Sequence, residues 1–456
     1  MFRISDELIK KYSVIGPRYT SYPTAPMWYE IEPSKQLEWY SEIRASTRPL
    51  SLYIHIPFCW ERCVYCACNV FITKQQGRSK NYVEYLLGEL DSLASFQHSE
   101  KKIRQLHFGG GTPNFLLDEE FKQILEKIRS LFTFEEDAEI AIEMDPSMMR
   151  PGQLKMLREL GFNRLSMGVQ DFNEKVQKAV KREQSAALTL EVLQEARALG
   201  YKGINFDLIY GLPHQTPESF RETLDTVIAM RPDRLAVYNF AYLPEQMPHQ
   251  RKIDPTALPG EKEKLDFLFA AIEKFTTAGY RYIGMDHFAL EDDELSVAQK
   301  NHTLYRNFMG YTPKSGVDLF GIGASSIGEF GRFFLQNEKK VNLYQKRIED
   351  GGLSGSRGIV LTKDDQIRKW TIIRLICHFY LSFEEFKAEF GEDFREYFQS
   401  ELGELEAMQA DGLLEVKEDH IEILDPGKIL VRNICMVFDA YLKRSNVPKV
   451  TYSKTI

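Results

Sequence analysis

The sequence predicts an α/β fold in which parallel strands are backed by helices, and three observations carry that reading. Six short apolar runs rich in branched residues alternate with segments of helical spacing, the pattern of repeated βα units. Gly161, Gly200 and Gly279 stand just past the ends of three helical segments, where a left-handed closing residue is favoured. The ends of the runs carry HIPFC, HFGGGTP, EMDP, GVQDF, DLIYGLP and NFAYLP, and in parallel sheets and barrels alike the chemistry gathers at the carboxyl ends of strands. Polar and glycine residues at six successive ends favour a full or partial barrel over an open doubly wound sheet.

The elements follow in order. A Pro- and Tyr-rich start, PRYTSYPTAPMWYE over 17–30, reads as part of an N-terminal arm, 1–48. The α/β region is assigned to 49–360, with apolar runs at 52–56, 103–108, 139–144, 164–169, 203–209 and 234–240. Helical spacing follows at 82–96, 118–132, 151–160, 173–182 with 186–199, 217–230 and 261–278. Asp118 is the expected N-cap of the second helix, and Pro151 lies near the first position of the third. From about Leu361 helices follow one another without strands, at 366–380, 383–389 and 394–411. A hairpin over 411–424 and a last helix over 429–441 complete a small, mainly helical terminal domain, 361–456. Its DGL and two alternating runs resemble a winged helix, but no excess of basic residues accompanies them, which argues against DNA binding.

With 456 residues the chain is about three times the ~150-residue prior for one domain, so it does not need disulfide staples to hold a core. Lys and Arg number 58 against 66 Asp and Glu, a net charge of -8. No global positive field attracts a phosphate backbone, and any anionic ligand must be met by local Arg or Lys. Residues 1–51 hold no apolar core of a secretory signal, and no apolar run approaches the ~18 residues that span a bilayer. The expectation is a cytoplasmic protein with neither a membrane nor a nucleic acid as partner, where clustered cysteines serve metals or redox chemistry more often than bridges.

Four of the six cysteines lie in HIPFCWERCVYCACN, as Cys59, Cys63, Cys66 and Cys68 in the spacing C-x3-C-x2-C-x-C. Such a tight loop lets three thiolates face one centre. Structural zinc usually draws paired ligands from separated hairpins, and no second CxxC or HxxxH follows. A 4Fe-4S cluster on Cys59, Cys63 and Cys66 leaves one iron open to chelate another molecule. Cys68 has three readings: spare ligand, redox thiol or structural residue. Cys377 and Cys435 stand alone and read as ordinary helix residues.

The C-x3-C-x2-C loop after a strand, followed one βα unit later by GGGTP, resembles the radical S-adenosylmethionine (SAM) enzymes, in which the open iron binds SAM and the reduced cluster cleaves it to a 5'-deoxyadenosyl radical. That resemblance implies a partial (β/α)6 radical SAM barrel. The arm PRYTSYPTA, YIHIPFC, the extra Cys68, RLSMGVQDFN, NFDLIYGLP, IGMDHFA, RNFMGYT and RNICMVFDAYL are similar to the oxygen-independent coproporphyrinogen III oxidases. The likeness runs from about Pro17 to the C-terminus. It implies oxidative decarboxylation of two propionates of coproporphyrinogen III to vinyl groups, giving protoporphyrinogen IX in haem biosynthesis. It also implies two SAM molecules, an electron donor such as a flavodoxin or ferredoxin, and a monomer. The alternatives are a related haem chaperone, which lacks the fourth Cys and the arm, and a haem-binding carrier.

By this resemblance the first SAM meets Tyr53, Gly110, Glu143 and Ile327, and the second meets Tyr65, Gly111, Thr112, Gln170, Arg182, Asp207 and Ala241. Glu143 and Asp207 suit ribose hydroxyls or a neighbouring cation. Arg182 reads as a carboxylate partner or a solvated helix end. His55 reads as a structural histidine or a tuner of the cluster. Arg18 and Arg306 are candidates to hold substrate carboxylates, with Arg18 and Tyr19 as gates in the arm. Phe308 matches the family, whereas Met309 stands where Gln is common; a thioether is a weak hydrogen-bond acceptor, so the positioning role of that site changes.

Overall fold

The structure is a computed structural model that describes residues 4–98, 100–444, 452, 454 and 455. Two compact units divide the chain: Tyr29–Leu268 with Gly316–Val360, and Met1–Trp28 with Phe269–Ser315 and Leu361–Ile456.

In the first unit the six expected strands form: β1 (Leu50–Ile56), β2 (Lys102–Gly110), β3 (Thr133–Met144), β4 (Arg164–Gln170), β5 (Ile204–Tyr210) and β6 (Arg234–Asn239). They lie side by side in sequence order, each parallel to the next. The helices between them are α1 (Gly77–Ser95), α2 (Asp118–Leu131), α3 (Gln153–Glu159), α4 (Glu174–Val180) with α5 (Ala186–Ala198), and α6 (Pro217–Met230). In α2 the fully buried Phe121, Ile124, Leu125 and Ile128 fall at helical spacing, so one stripe faces the sheet. In β4 burial alternates. Leu165, Met167 and Val169 are buried, which turns Ser166, Gly168 and Gln170 to the opposite face.

Two helix starts differ from expectation. Leu117 is the N-cap of α2 and Asp118 its first residue; the Leu117 N–H donates to Glu120, 2.7 Å away. Pro151 precedes α3 by two residues, because Gly152 at φ 76 turns the chain before Gln153. Gly161, Gly200 and Gly279 all have positive φ, as their closing role requires.

Strands beyond the six extend the sheet past β1: β7 (Asp318–Ile322), parallel to β1, then β8 (Ile327–Phe330), β9 (Phe333–Asn337) and β10 (Gly355–Val360) as an antiparallel meander. Two buried polar centres tie this extension to the first βα unit. Lys101 donates to Asp318 at 2.7 Å, the two side chains being 1% and 0% exposed. Glu89 of α1 accepts from the Gly323 N–H, Tyr344 and Asn337 at 2.7 Å each, and from Ser354.

The second unit carries helices at Lys363–His378, Phe383–Phe390, Phe394–Tyr397, Gln399–Ala410, Asp425–Ile429 and Val431–Val437. The expected helix 394–411 breaks at Phe398, whose ring is fully buried among Phe386, Phe394 and Phe438. The expected last helix breaks at Leu430. The hairpin gains a third strand, Tyr380–Ser382, in the order Tyr380–Ser382, His420–Ile423, Leu414–Val416. Cys377 and Cys435 are buried helix residues, as expected. No helix among the described residues is long and apolar enough to cross a membrane.

Candidate active site

At the carboxyl ends of β1 to β5 a cavity of about 570 Å³ is lined by Cys59, Cys63, Cys66, Cys68, Tyr65, Gly110, Gly111, Thr112, Glu143, Gln170, Arg182 and Asp207. All of these except Cys68 were expected from the resemblance to hold the cluster or SAM. The period of two along each strand explains the gathering: the residues turned away from the covering helices are Glu143, Ser166, Gly168, Gln170 and Asp207.

Backbone bonds hold the cysteine loop. The Thr112 N–H donates to Phe58 O at 3.0 Å, the Thr73 N–H to Cys59 O at 3.0 Å, and the Val64 N–H to Val180 O at 3.2 Å. His249 Nε2 donates to Cys66 O at 2.8 Å, and Thr112 Oγ1 lies 3.2 Å from Cys59 Sγ. Burial pushes the Cys59 thiol up to about 12 and also raises Cys63. Among the described residues no three His, Cys, Asp or Glu side chains converge on a single metal ion. Cys59, Cys63 and Cys66 are free thiols of one short loop that line the same cavity, a donor set that suits a cluster whose irons each take one thiolate.

Glycines open the cavity to a ligand. At Gly110, φ is 117 and a Cβ would stand 2.6 Å from the His55 ring; at Gly111 it would meet the Pro57 backbone at 2.8 Å. Only glycine brings the chain this close. His55 Nε2 donates to Asn69 O at 3.1 Å, so its Nδ1 accepts from the Tyr53 hydroxyl at 3.2 Å. Burial lowers the His55 pKa, which keeps the ring neutral. Tyr53 stacks on His107 with centroids 5.8 Å apart.

The two carboxylates differ. Burial acts to raise Glu143, but hydrogen bonds from His107 Nε2 at 3.1 Å and the Gly110 N–H at 3.2 Å outweigh it, and its pKa lies below the ordinary value. Burial and the nearby Glu143 push Asp207 up to about 6, against hydrogen bonds from Asn205 and Ser166. Arg182 is no solvated helix end: its Nη1 lies 2.5 Å from Asp145 and its Nη2 donates to Gly168 O at 2.8 Å. Its Nε is buried without a hydrogen-bond partner. The orphaned donor and the glycine cradle fit an anionic, hydroxyl-bearing ligand beside the thiols.

Other expected residues lie outside the cavity lining. Tyr53 and His55 stand behind Gly109 and Gly110. Ala241 follows β6, with its carbonyl accepting from Gln250 at 3.2 Å, and Ile327 opens β8. Arg18, Phe308, Met309 and Arg306 belong to the second unit. There Arg18 pairs with Asp286, Phe308 packs edge-on against Trp28, and the Met309 N–H donates to Asn307 at 2.9 Å. Arg306 is buried over the Tyr311 ring at 4.6 Å. Tyr19 is fully buried and donates to Asp439 at 3.0 Å, an anchor rather than a gate. Sequence reasoning missed His107, Asp145 and His249. His107 and Asp145 sit inside motifs already singled out, HFGGGTP and EMDP, while nothing marked His249.

The comparisons agree with this geometry. The model "Radical SAM superfamily" matches residues 53–227, and "HemN C-terminal domain" matches 361–430. The oxygen-independent coproporphyrinogen III oxidase of Pseudomonas aeruginosa is 47% identical over 443 residues, 96% of each chain. That of Escherichia coli K12 is 45% identical over 437 residues, 96% of this chain and 95% of the relative. The solved structure of coproporphyrinogen III oxidase from Escherichia coli, described as a radical SAM enzyme, aligns with a TM-score of 0.92 at 43% identity, over 97% of this chain and 100% of that one. With the cysteine loop, the glycine cradle and likeness along nearly the whole length, the chain belongs to the family of oxygen-independent coproporphyrinogen III oxidases, radical SAM enzymes with an α/β fold and a helical terminal domain.

Proposed function

We propose that this chain converts two propionate side chains of coproporphyrinogen III to vinyl groups in the cytoplasm, releasing two CO2 and giving protoporphyrinogen IX. The observation that carries the reading is the single cavity gathering the four-cysteine loop with Gly110, Glu143, Arg182 and Asp207. When bound, a 4Fe-4S cluster and SAM supply the radical that takes a hydrogen atom beside the ring. Loss of CO2, with one electron passed to a one-electron acceptor, would then leave the vinyl group, so no side chain needs to act as a strong base.

The residues bind, orient and exclude water. Cys59, Cys63 and Cys66 hold the cluster. Tyr53, Gly110, Glu143 and Ile327 hold one SAM; Tyr65, Gly111, Thr112, Gln170, Arg182, Asp207 and Ala241 hold a second. The ionised Glu143 accepts from hydroxyls, and the neutral His55 fixes Tyr53. Arg18, Phe308 and Met309 serve the substrate. The electron comes from a donor such as a flavodoxin or ferredoxin, and the enzyme works as a monomer without nucleic acid or membrane.

Anaerobic incubation of cluster-loaded protein with SAM, dithionite and coproporphyrinogen III tests this. Vinyl product with two deoxyadenosines per porphyrinogen is expected. Stable haem uptake without turnover would sink it in favour of a haem carrier.

A further inference from the structure

The proposed reaction consumes one external electron for each SAM cleaved, so the cluster needs a point of entry that leaves the cavity undisturbed. The outer side of the cysteine loop has such a surface. Phe58–Cys59 pairs in parallel with Phe71–Ile72, and Trp60, Phe71 and Ile72 are exposed by 38, 39 and 40%. Trp60 lines the cysteine cavity, whereas Phe71 and Ile72 do not, and exposed apolar side chains with a polar rim mark interaction sites.

The rim is basic. Between Phe58 and Lys80 stand Arg62, Lys74, Arg78 and Lys80 against the one carboxylate Glu61, in a chain whose net charge is -8. Beside Phe71 a groove of about 390 Å³ is lined by Arg78, Lys339 and Lys340 and by no carboxylate. Phe71, Ile72, Lys74, Arg78, Lys339 and Lys340 do not line the cavity of the cysteines. A local positive field on an acidic molecule steers a negatively charged partner to one face.

Resting on the radical SAM reading, we propose that the exposed strand Phe71–Ile72, with Lys74 just after it and the groove of Arg78, Lys339 and Lys340 beside it, is the docking surface for a small acidic one-electron carrier protein. The docked carrier is oxidised by one electron and the cluster held by Cys59, Cys63 and Cys66 is reduced by one, with no bond made or broken. Contact is apolar at Phe71 and Ile72 and ionic around them, suiting the small, transient interfaces of electron transfer.

The test uses the cluster-loaded full chain with a purified reduced flavodoxin as carrier. The variants are Ile72→Glu and the triple Lys74→Glu, Arg78→Glu, Lys340→Glu. Each should weaken flavodoxin binding and slow flavodoxin-driven cluster bleaching at least tenfold, with the triple variant also losing the salt dependence of binding. Cluster absorbance and deoxyadenosine formation driven by dithionite should stay at the level of the unaltered protein. Unchanged flavodoxin-driven reduction in both variants overturns the proposal, as does equal loss with dithionite, which would make the face a support of the cluster. Relief of binding by inorganic phosphate with no effect of Ile72→Glu would mean a small-anion site and overturns it too. If the unaltered protein made no vinyl product with dithionite, the proposed function would fall on its own, whatever the variants did.

Discussion

Glu143 and Asp207 both lie in the cavity wall, yet their pKa values move in opposite directions, because His107 and the Gly110 N–H supply donors that outweigh burial at one, while burial and then repulsion from Glu143 raise the other. Asp207 is raised from 3.8 to about 6. The folded state therefore binds its proton more tightly than the unfolded chain, a stabilising contribution present at acid pH and lost as pH rises through about 6. The ionised form is the stronger acceptor from hydroxyls, and it prevails above that value. SAM affinity, measured by calorimetry on cluster-loaded protein, should fall as pH is lowered through about 6, and Asp207→Asn should flatten that dependence. His107→Phe keeps the ring against Tyr53 but removes the donor to Glu143. Hydrogen bonds to charged groups contribute about 1.5–3 kcal/mol, so SAM should bind roughly ten- to a hundredfold more weakly. Cys59→Ala, Cys63→Ala and Cys66→Ala should each abolish the cluster's absorbance, whereas Cys68→Ala should retain iron; loss of iron in that variant would make Cys68 a ligand.

The six strands were legible because each is a branched apolar run long enough to show its period, and their helices because glycines and caps mark the ends. The strands from 318 to 360 were not: DLFGI, IGEF and FFLQN are short, interrupted by glycine and polar residues, and acquire strand geometry from pairing with one another and with β1. In the site, local signals exposed the cysteine loop and GGGTP. A pairing such as His249 with Cys66 O joins residues 183 apart and leaves no local trace. Two substitutions test how elements are held. Gly110→Ala places a methyl group on the His55 ring at a φ of 117; strain and overpacking of about 1–3 kcal/mol each should lower the thermal midpoint and disturb SAM binding. Lys101→Met leaves Asp318 buried without its cation, and denaturant unfolding should show a loss of about 3–5 kcal/mol.

The whole chain carries a net charge of -8, and the terminal hairpin is itself acidic, with Glu415, Glu418, Asp419 and Glu422 on and between its strands. A winged-helix outline without an excess of basic residues should give no retardation of duplex DNA at physiological salt; a retarded band would contradict the charge argument. Glu89 has a different reach. Its donors, Gly323, Asn337, Tyr344 and Ser354, lie 234 to 265 residues downstream. On the ribosome, the first βα unit therefore emerges with a carboxylate that has none of these donors, and it waits, hydrated and open, until residue 354 is synthesised. High contact order of this kind slows folding. It also delays closure of the sheet edge beside β1, whose partner strand begins only at Asp318.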